Sequence, residues 1–410
     1  MEREAVLVGI DVGTSKVCAL IGEIDRDGSL TVVGKGSVPA NGLRRAVVVN
    51  IDQTVRSITS SVELAERISG WEIDRAFVGV GGAHVESQNE RGAVAVSGHH
   101  REVTPEDVER ATEVARAVQI PSSREILHVL PRGFIVDGQE GVKDPLGMSA
   151  IRLETETHIV TASATAVRNL AKCVAAANVK IDELVANSLA SAEAVLSDTE
   201  REVGVAVADI GAGTIDLALF QDGQAYKTAV LPVGGNNVTN DVAIVLRTDL
   251  RAAEDLKIQY GNCWLDDVDP RETVNVAMHG EPSPRLVSRL DTCRVIEARM
   301  RQMFELLRAE IEAAGTSMLP AGMVLTGGAS QLTGAAALGR EVLGMPVRVA
   351  GPTEIAGLTD GIMTPAYSTA IGLLLWGAKE LSSGEISRFE SAPARGIAGR
   401  AWDQVKSFFP

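Results

Sequence analysis

The chain has 410 residues, 45% hydrophobic and 23% charged, which are the proportions of a folded protein of about two to four domains and exclude a wholly disordered one. Its 54 acidic residues against 39 Lys and Arg leave a net charge of −15, a body that repels phosphate backbones, so no nucleic-acid partner is expected. No stretch reaches the roughly 18 apolar residues of a membrane span, and the opening Met-Glu-Arg-Glu is not expected to act as a signal peptide.

In chain order, the first pattern is residues 9–22, GIDVGTSKVCALIG. An apolar run, Asp-x-Gly, small and hydroxyl residues and a second apolar run predict a hairpin of two buried strands about a tight turn. A strand is predicted at 30–38 and another at 76–81. Between them a helix over 52–69 puts Ile51, Val55, Ile58, Val62, Leu64 and Ala65 on one broad face. Residues 85–162 read as a small α+β insertion. Its helix opens at Thr104-Pro105-Glu106-Asp107, with a hydroxyl cap, a first-turn proline and acids on the positive end of the dipole, and runs to about Val118. Strands at 126–136 and 156–162 flank the Gly/Pro-rich stretch 138–149. Helices are predicted over 165–178 and 183–197.

Residues 207–220, VADIGAGTIDLALF, repeat the hairpin pattern, and Asp209 follows Asp11 by 198 positions (209 − 11). A repeat of this length suggests two similar domains facing each other. Helices at 236–247 and 287–314 continue the alternation of strand and helix, so the fold class is α/β. Residues 382–396, SSGEISRFESAPARG, have the composition of a flexible tether, with a reach of roughly 20–23 Å. The four cysteines, at 18, 173, 263 and 293, are too dispersed for a zinc pair or a CxxC and are expected as buried free thiols in a reducing cytoplasm.

The two hairpins carry the chemistry. Turns of Gly, Ser and Thr expose backbone N–H donors to phosphate oxygens with no side chain in the way. Gly13, Thr14 and Ser15 make one such turn, and Gly211, Ala212, Gly213 and Thr214 the other. Facing each other, they would clamp the β- and γ-phosphates of a nucleoside triphosphate. Asp11 and Asp209 supply the one or two carboxylates with which Mg²⁺ is usually held beside phosphate, and Lys16 adds a point charge. Thr326-Gly327-Gly328-Ala329 after an apolar strand admits a flat purine or ribose to the backbone. Gly234 and Gly235 stand before a helix whose first amides suit phosphate, and Glu254 and Lys257 share one helix face.

The segments GIDVGTSKVCALIG, VADIGAGTIDLALF and VLTGGAS, in this order and spacing, resemble the actin, Hsp70 and sugar-kinase ATPase superfamily. Within it, VGVGGAHVESQNERG (78–92), HVLPRGFIVDGQEGVKDPLG (128–147), PVGGNNVTNDVA (232–243), TGGASQLTG (326–334) and GLTDGIMTPAYSTAIGLLLWG (357–377) resemble the FtsA family of bacterial cell-division proteins, over essentially residues 5–410. The resemblance implies an actin-like two-lobe ATPase fold with ATP and Mg²⁺ between the lobes, and a displaced subdomain in lobe one. It divides the chain into a lobe-one core (1–84 with 163–197), the insert (85–162), a lobe-two core (198–225 with 301–381), an outer subdomain of lobe two (226–300), the linker (382–396) and a C-terminal amphipathic helix (397–410). It places Asp11, Gly13, Thr14, Ser15, Asp209, Gly211, Gly213, Thr214, Gly234 and Gly235 by the phosphates, Glu254 and Lys257 by the ribose, and Gly327, Gly328 and Ala329 by the adenine. It further implies head-to-tail filaments, binding of the C-terminal peptide of the tubulin-like protein FtsZ, recruitment of other division proteins, and a peripheral location on the cytoplasmic face of the inner membrane at the division site. Arg285, Arg289 and Arg301 are its candidate contacts to the FtsZ peptide. Chaperone relatives carry a glutamate where this chain has Asn187 and Ser188, neither a good base near neutral pH, so ATP is expected to be hydrolysed slowly at most.

On a helical projection of residues 397–410, Ile397, Ala401, Trp402, Val405, Phe408 and Phe409 fall within about 140°, with Arg400 and Lys406 among the polar residues on the rest. That is the pattern of an interfacial helix on an anionic membrane surface. A single short helix binds reversibly, and a filament with many of them binds far better. Two alternatives share the core: a sugar-kinase-like enzyme using Asp209 or Asp216 as base, and a pilus-assembly adaptor. The insert and tail disfavour the first, and the tail disfavours the second.

Overall fold

Strands β1 (Arg3–Val12) and β2 (Lys16–Asp25) form the first hairpin, in a register that sets Asp11 opposite Cys18. Nearly every residue of the pair is buried, which is why both strands read as continuous apolar runs. The computed structural model describes residues 3–383 except 26, 98–100, 118, 280–282, 316–318, 354 and 359. β3 (Leu30–Pro39) adds antiparallel to β2, and β4 (Leu43–Arg44) and β5 (Val47–Val48) make a small ribbon. α1 (Ile51–Ser69) starts where the Asn50 side chain accepts from the Gln53 amide and stops at the left-handed Gly70. Its Ile58, Val62 and Ala65 are buried, as the spacing predicts, while Ile51 remains exposed. β6 (Arg75–Val80) then pairs parallel with β1.

The insert is a separate sheet with its own small core. β7 (Glu86–Ala95), α2 (Pro105–Arg116), β8 (Arg124–Val136), β9 (Gln139–Val142) and β10 (Arg152–Ser163) give the order β7-β10-β8-β9, and Val103, Ala111, Phe134, Val136, Val142 and Leu153 fill it. Thr104 and Asp107 cap α2 reciprocally behind Pro105, as expected. Strand β7 is not visible in the sequence pattern. Its ESQNERGAVA is polar and mostly exposed, and only pairing along the whole of β10 makes it a strand.

After α3 (Ala164–Ala176), the single helix predicted over 183–197 is instead β11 (Lys180–Ala186) followed by α4 (Asn187–Val195). The open edge of β6 captures Lys180–Ala186 in a parallel ladder, and tertiary pairing overrides the helix-forming tendency of that segment. α5 (Asp198–Val203) leads into lobe two.

Lobe two repeats the plan. β12 (Val205–Ile210), β13 (Ile215–Gln221) and β14 (Gln224–Leu231) are antiparallel, with Asp209 opposite Asp216. α6 (Gly235–Leu246), α7 (Leu250–Tyr260), β15 (Thr273–Val276), β16 (Arg285–Ser288) and α8 (Arg289–Ala313) follow. β17 (Met323–Thr326), α9 (Ala335–Leu343) and β18 (Val347–Val349) complete the sheet β14-β13-β12-β17-β18. The first sheet runs β11-β6-β1-β2-β3, so each lobe sets three antiparallel strands beside parallel ones.

The last segments return to lobe one, which corrects the assignment of all of 301–381 to lobe two. β19 (Ala356–Gly357) pairs with β3, and Ala370, Ile371, Leu373 and Leu374 of α10 (Ser368–Ser383) are buried in the same core as Ile10 and Leu20. Gly9 lets α10 cross β1, since a Cβ there would lie 3.0 Å from the Ala370 carbonyl. The four cysteines are free and buried. Among the described residues no helix is long and apolar enough to cross a membrane. The linker beyond residue 383 and the residues Ile397, Arg400, Trp402, Val405, Lys406, Phe408 and Phe409 lie outside the described residues.

Candidate functional site between the lobes

The two hairpin turns meet. Each is closed by one backbone bond, Gly13 N–H to the Lys16 carbonyl at 3.0 Å and Gly211 N–H to the Thr214 carbonyl at 2.9 Å. A Cβ on Gly213 would come within 2.6 Å of the Thr14 hydroxyl. Around them lies a cavity of about 430 Å³, within the usual range for a small-molecule site. Of the residues expected around a nucleotide, all line it except Gly213 and Gly234, which are buried, in the second turn and at the cap of the following helix.

The lining comes from both lobes. Gly235 and Asn236 begin α6 by donating their amides to the Gly211 and Ala212 carbonyls at 2.9 and 2.8 Å, which fixes that helix start against the second turn. Gly327 holds φ +82, and a Cβ there would meet Asp209 Oδ1 at 2.2 Å, so only glycine permits this approach. On the α7 face, the buried Lys257 donates to Glu254 at 2.7 Å, Thr239 at 3.0 Å and the Gly235 carbonyl at 3.3 Å. The pair read from its spacing as one helix face is therefore bound into the cavity wall. Val238, Ile258, Met300 and Leu332 add apolar surface.

Three buried carboxylates face the cavity. Burial pushes Asp11 up to about 6, with Lys16 opposing and Asp209 adding to the rise. Burial also raises Asp209, against hydrogen bonds from Ser191 and, at 2.8 Å, Thr369. Asp216 is raised to about 8, by burial first and then by Asp209. Its Oδ2 accepts from Thr214 at 3.0 Å, while its Oδ1 and the Asn187 Oδ1 are buried without a partner. Like charges crowded in a dry cleft raise one another in this way, and a cation relieves them. Among the described residues no three His, Cys, Asp or Glu side chains converge to hold a metal alone. Mg²⁺ needs only one or two carboxylates with phosphate and water, so the donor set fits that ion beside a phosphate.

Lys16 lines the cavity, but its ammonium donates to the Ala366 carbonyl and lies 3.5 Å from the centre of the Tyr367 ring. Asn187 is brought into the cavity and Ser188 is buried outside its lining. Sequence patterns missed Ser191 and Thr369, which orient Asp209, and Asn236, Met300, Gln331 and Thr333, because helix and loop residues of these types carry no signal until the lobes meet.

The three arginines expected at a peptide partner differ. Arg289 pairs with Glu272 at 2.6 Å and donates to the Tyr260 carbonyl, and Arg301 pairs with Glu297 at 2.6 Å and Glu341 at 3.0 Å. Arg285 is exposed on β16 and has no ion pair among the described residues.

Comparison with known proteins agrees with this architecture. Residues 206–372 match the family model for the cell division protein FtsA, and residues 82–161 match that of the SHS2 domain inserted in FtsA. The FtsA proteins of Pseudomonas aeruginosa and Neisseria meningitidis serogroup B are 44% and 41% identical, each over 91–92% of this chain and 91% of its own. Among solved structures, the PilM–PilN type IV pilus biogenesis complex aligns at TM-score 0.66 and 18% identity over 92% of this chain and 98% of its own. MreB5 of Spiroplasma citri bound to ADP aligns at TM-score 0.55 and 12% identity over 93% and 99%.

Proposed function

The chain belongs to the FtsA family of cell-division proteins, and from that premise we propose that it is an ATP-dependent adaptor that assembles on the inner membrane and holds FtsZ there. Its fold is actin-like, with two lobes and the SHS2 insert. The observation that carries the nucleotide reading is the pair of hairpin turns meeting at Gly213 and Thr14 over a cavity ringed by Asp11, Asp209 and Asp216. The ADP in the MreB5 structure of like fold supports the same reading.

Gly13, Thr14 and Ser15 on one side and Gly211, Ala212 and Thr214 on the other would hold phosphates through backbone amides. Asp11 and Asp209 would hold Mg²⁺, whose part is to neutralise phosphate charge. Glu254 and Lys257 would meet the ribose, and Gly327, Gly328 and Ala329 the base. Asn187 has no titratable group and cannot act as a general base. That favours slow hydrolysis, with ATP acting as an assembly ligand. Head-to-tail contacts, the FtsZ peptide near Arg285, and attachment through Trp402, Phe408 and their neighbours complete the reading.

Co-sedimentation with anionic vesicles in Mg-ATP, comparing the full chain with one ending at Gly396, tests it. Tail-dependent pelleting is expected; equal pelleting of both forms would overturn the membrane role. A turnover of tens of ATP per second would overturn the assembly-ligand role.

A further inference from the structure

Strand β14 is the outer edge of the lobe-two sheet, and β7 is the outer edge of the insert sheet. Among the described residues no backbone ladder joins these two edges; side chains do so instead. Ser87 Oγ accepts from the Thr228 amide at 3.1 Å and donates to the Thr228 carbonyl at 2.7 Å. Two residues on, Asn89 Nδ2 donates to the Tyr226 carbonyl at 3.0 Å. The period of two on both strands matches, so β7 offers side chains where β14 shows its open backbone groups.

His158, the register partner of Asn89 on β10, is buried beside them. Its Nδ1 lies 2.7 Å from Asn89 Oδ1 and its Nε2 3.3 Å from Thr228 Oγ1. Because Asn89 gives its amide to Tyr226, its Oδ1 accepts, so the His158 proton sits on Nδ1 and Nε2 takes the Thr228 hydroxyl. Burial holds this imidazole neutral, which suits one donor and one acceptor. Arg132 on β8 stacks 4.5 Å from the Tyr226 ring.

The position of this contact matters. Both ends of the insert are rooted in lobe one, through β6 and α3. β14 leads through Pro232, Val233 and Gly234 to Gly235 and Asn236, whose amides are bonded to the second phosphate-type turn. A ladder would fuse the two sheets, whereas a few side-chain bonds join them reversibly. Movement of the insert against lobe two therefore pulls on a wall of the cavity.

We propose that the insert is a clasp across the lobes: Ser87, Asn89 and His158 hold β14, and through it the Gly235–Asn236 wall, in the closed arrangement. Release of the clasp loosens bound nucleotide, and by linkage bound nucleotide tightens the clasp. A partner that displaces the insert thereby lowers nucleotide affinity. This rests on the nucleotide reading above.

The test uses the full chain, the double variant Ser87→Ala/Asn89→Ala and, separately, Thr228→Val. None of these residues lines the cavity, and Asn89 is exposed, so the fold tolerates its loss. Release of a fluorescent ATP analogue with Mg²⁺ is followed by stopped flow, and hydrogen exchange of β7 and β14 is followed with and without the analogue. Release about fivefold faster or more is expected in the double variant, with loss of nucleotide-dependent protection of β7, and a smaller acceleration in Thr228→Val, which loses the His158 contact but keeps the Ser87 bonds to its backbone. Wild-type release rates with protection of β7 unchanged would overturn the clasp. Failure of the wild type to bind the analogue would overturn the nucleotide reading instead. The clasp would then be decided by nucleotide-free exchange, where wild-type protection of β14 in both variants counts against it.

Discussion

Gly213 of the second hairpin touches Thr14 of the first, and a single methyl at Gly213 would come within 2.6 Å of the Thr14 hydroxyl and 2.9 Å of its methyl. The lobes are in contact at the point where phosphates are proposed to sit, so their spacing is set by the absence of one side chain. Gly213→Ala is expected to push the turns apart and weaken Mg-ATP binding about tenfold, or about 1.4 kcal/mol, by titration calorimetry. Wild-type affinity in this variant would mean that the turns are not the phosphate clamp.

Gly327→Ala carries two penalties, a side chain at φ +82 and a Cβ 2.2 Å from Asp209 Oδ1. The backbone penalty alone is about 1–3 kcal/mol. A fall in Tm of at least about 2–4 °C is expected by calorimetry. An unchanged Tm would contradict the closeness of β17 to the second hairpin.

The Asp216 carboxyl is raised from 3.8 to about 8. A raised carboxylate binds its proton more tightly folded than unfolded, so the unfolded chain loses protons first. Stability of the nucleotide-free protein therefore falls as pH rises from about 4 to about 8. Asp216→Asn removes this contribution. The variant is expected to melt higher than wild type at pH 8, with the gap closing towards pH 4, and a gap independent of pH would refute the assignment. Mg²⁺ with nucleotide is expected to narrow the gap in the wild type.

Arg285 and Arg289 separate binding from structure. Arg289 holds Glu272 and the Tyr260 carbonyl, while Arg285 projects from β16 without an ion pair among the described residues. Arg285→Glu is expected to weaken binding of an FtsZ C-terminal peptide in fluorescence anisotropy with Tm unchanged. Arg289→Glu is expected to lower Tm as well. A peptide affinity indifferent to Arg285→Glu would move the partner surface elsewhere.

The elements legible in the sequence are those whose signal is local. Both hairpins were, because a buried strand is a continuous apolar run and a phosphate-type turn needs Gly, Ser and Thr at adjacent positions. Helices α1 and α2 were, because their caps and faces are written within one or two turns. The repeat of Asp11 at Asp209 marks the two lobes along the chain itself.

Tertiary structure alone decided the rest. Lys180–Ala186 is a strand because β6 has an open edge beside it, and Glu86–Ala95 is a strand because β10 pairs along it. Residues 368–383 belong with lobe one because Gly9 leaves room for α10 over β1. The Lys16 ammonium turns to Ala366 and Tyr367, some 350 residues away in sequence, instead of the turn it stands beside. Three acids become a coupled set only when burial removes the water that would screen them. Turn chemistry, capping and hydrophobic period depend on neighbours along the chain, and sequence determines them directly. Edge pairing, helix crossing and electrostatic coupling depend on neighbours through space, which exist only once the chain has closed on itself.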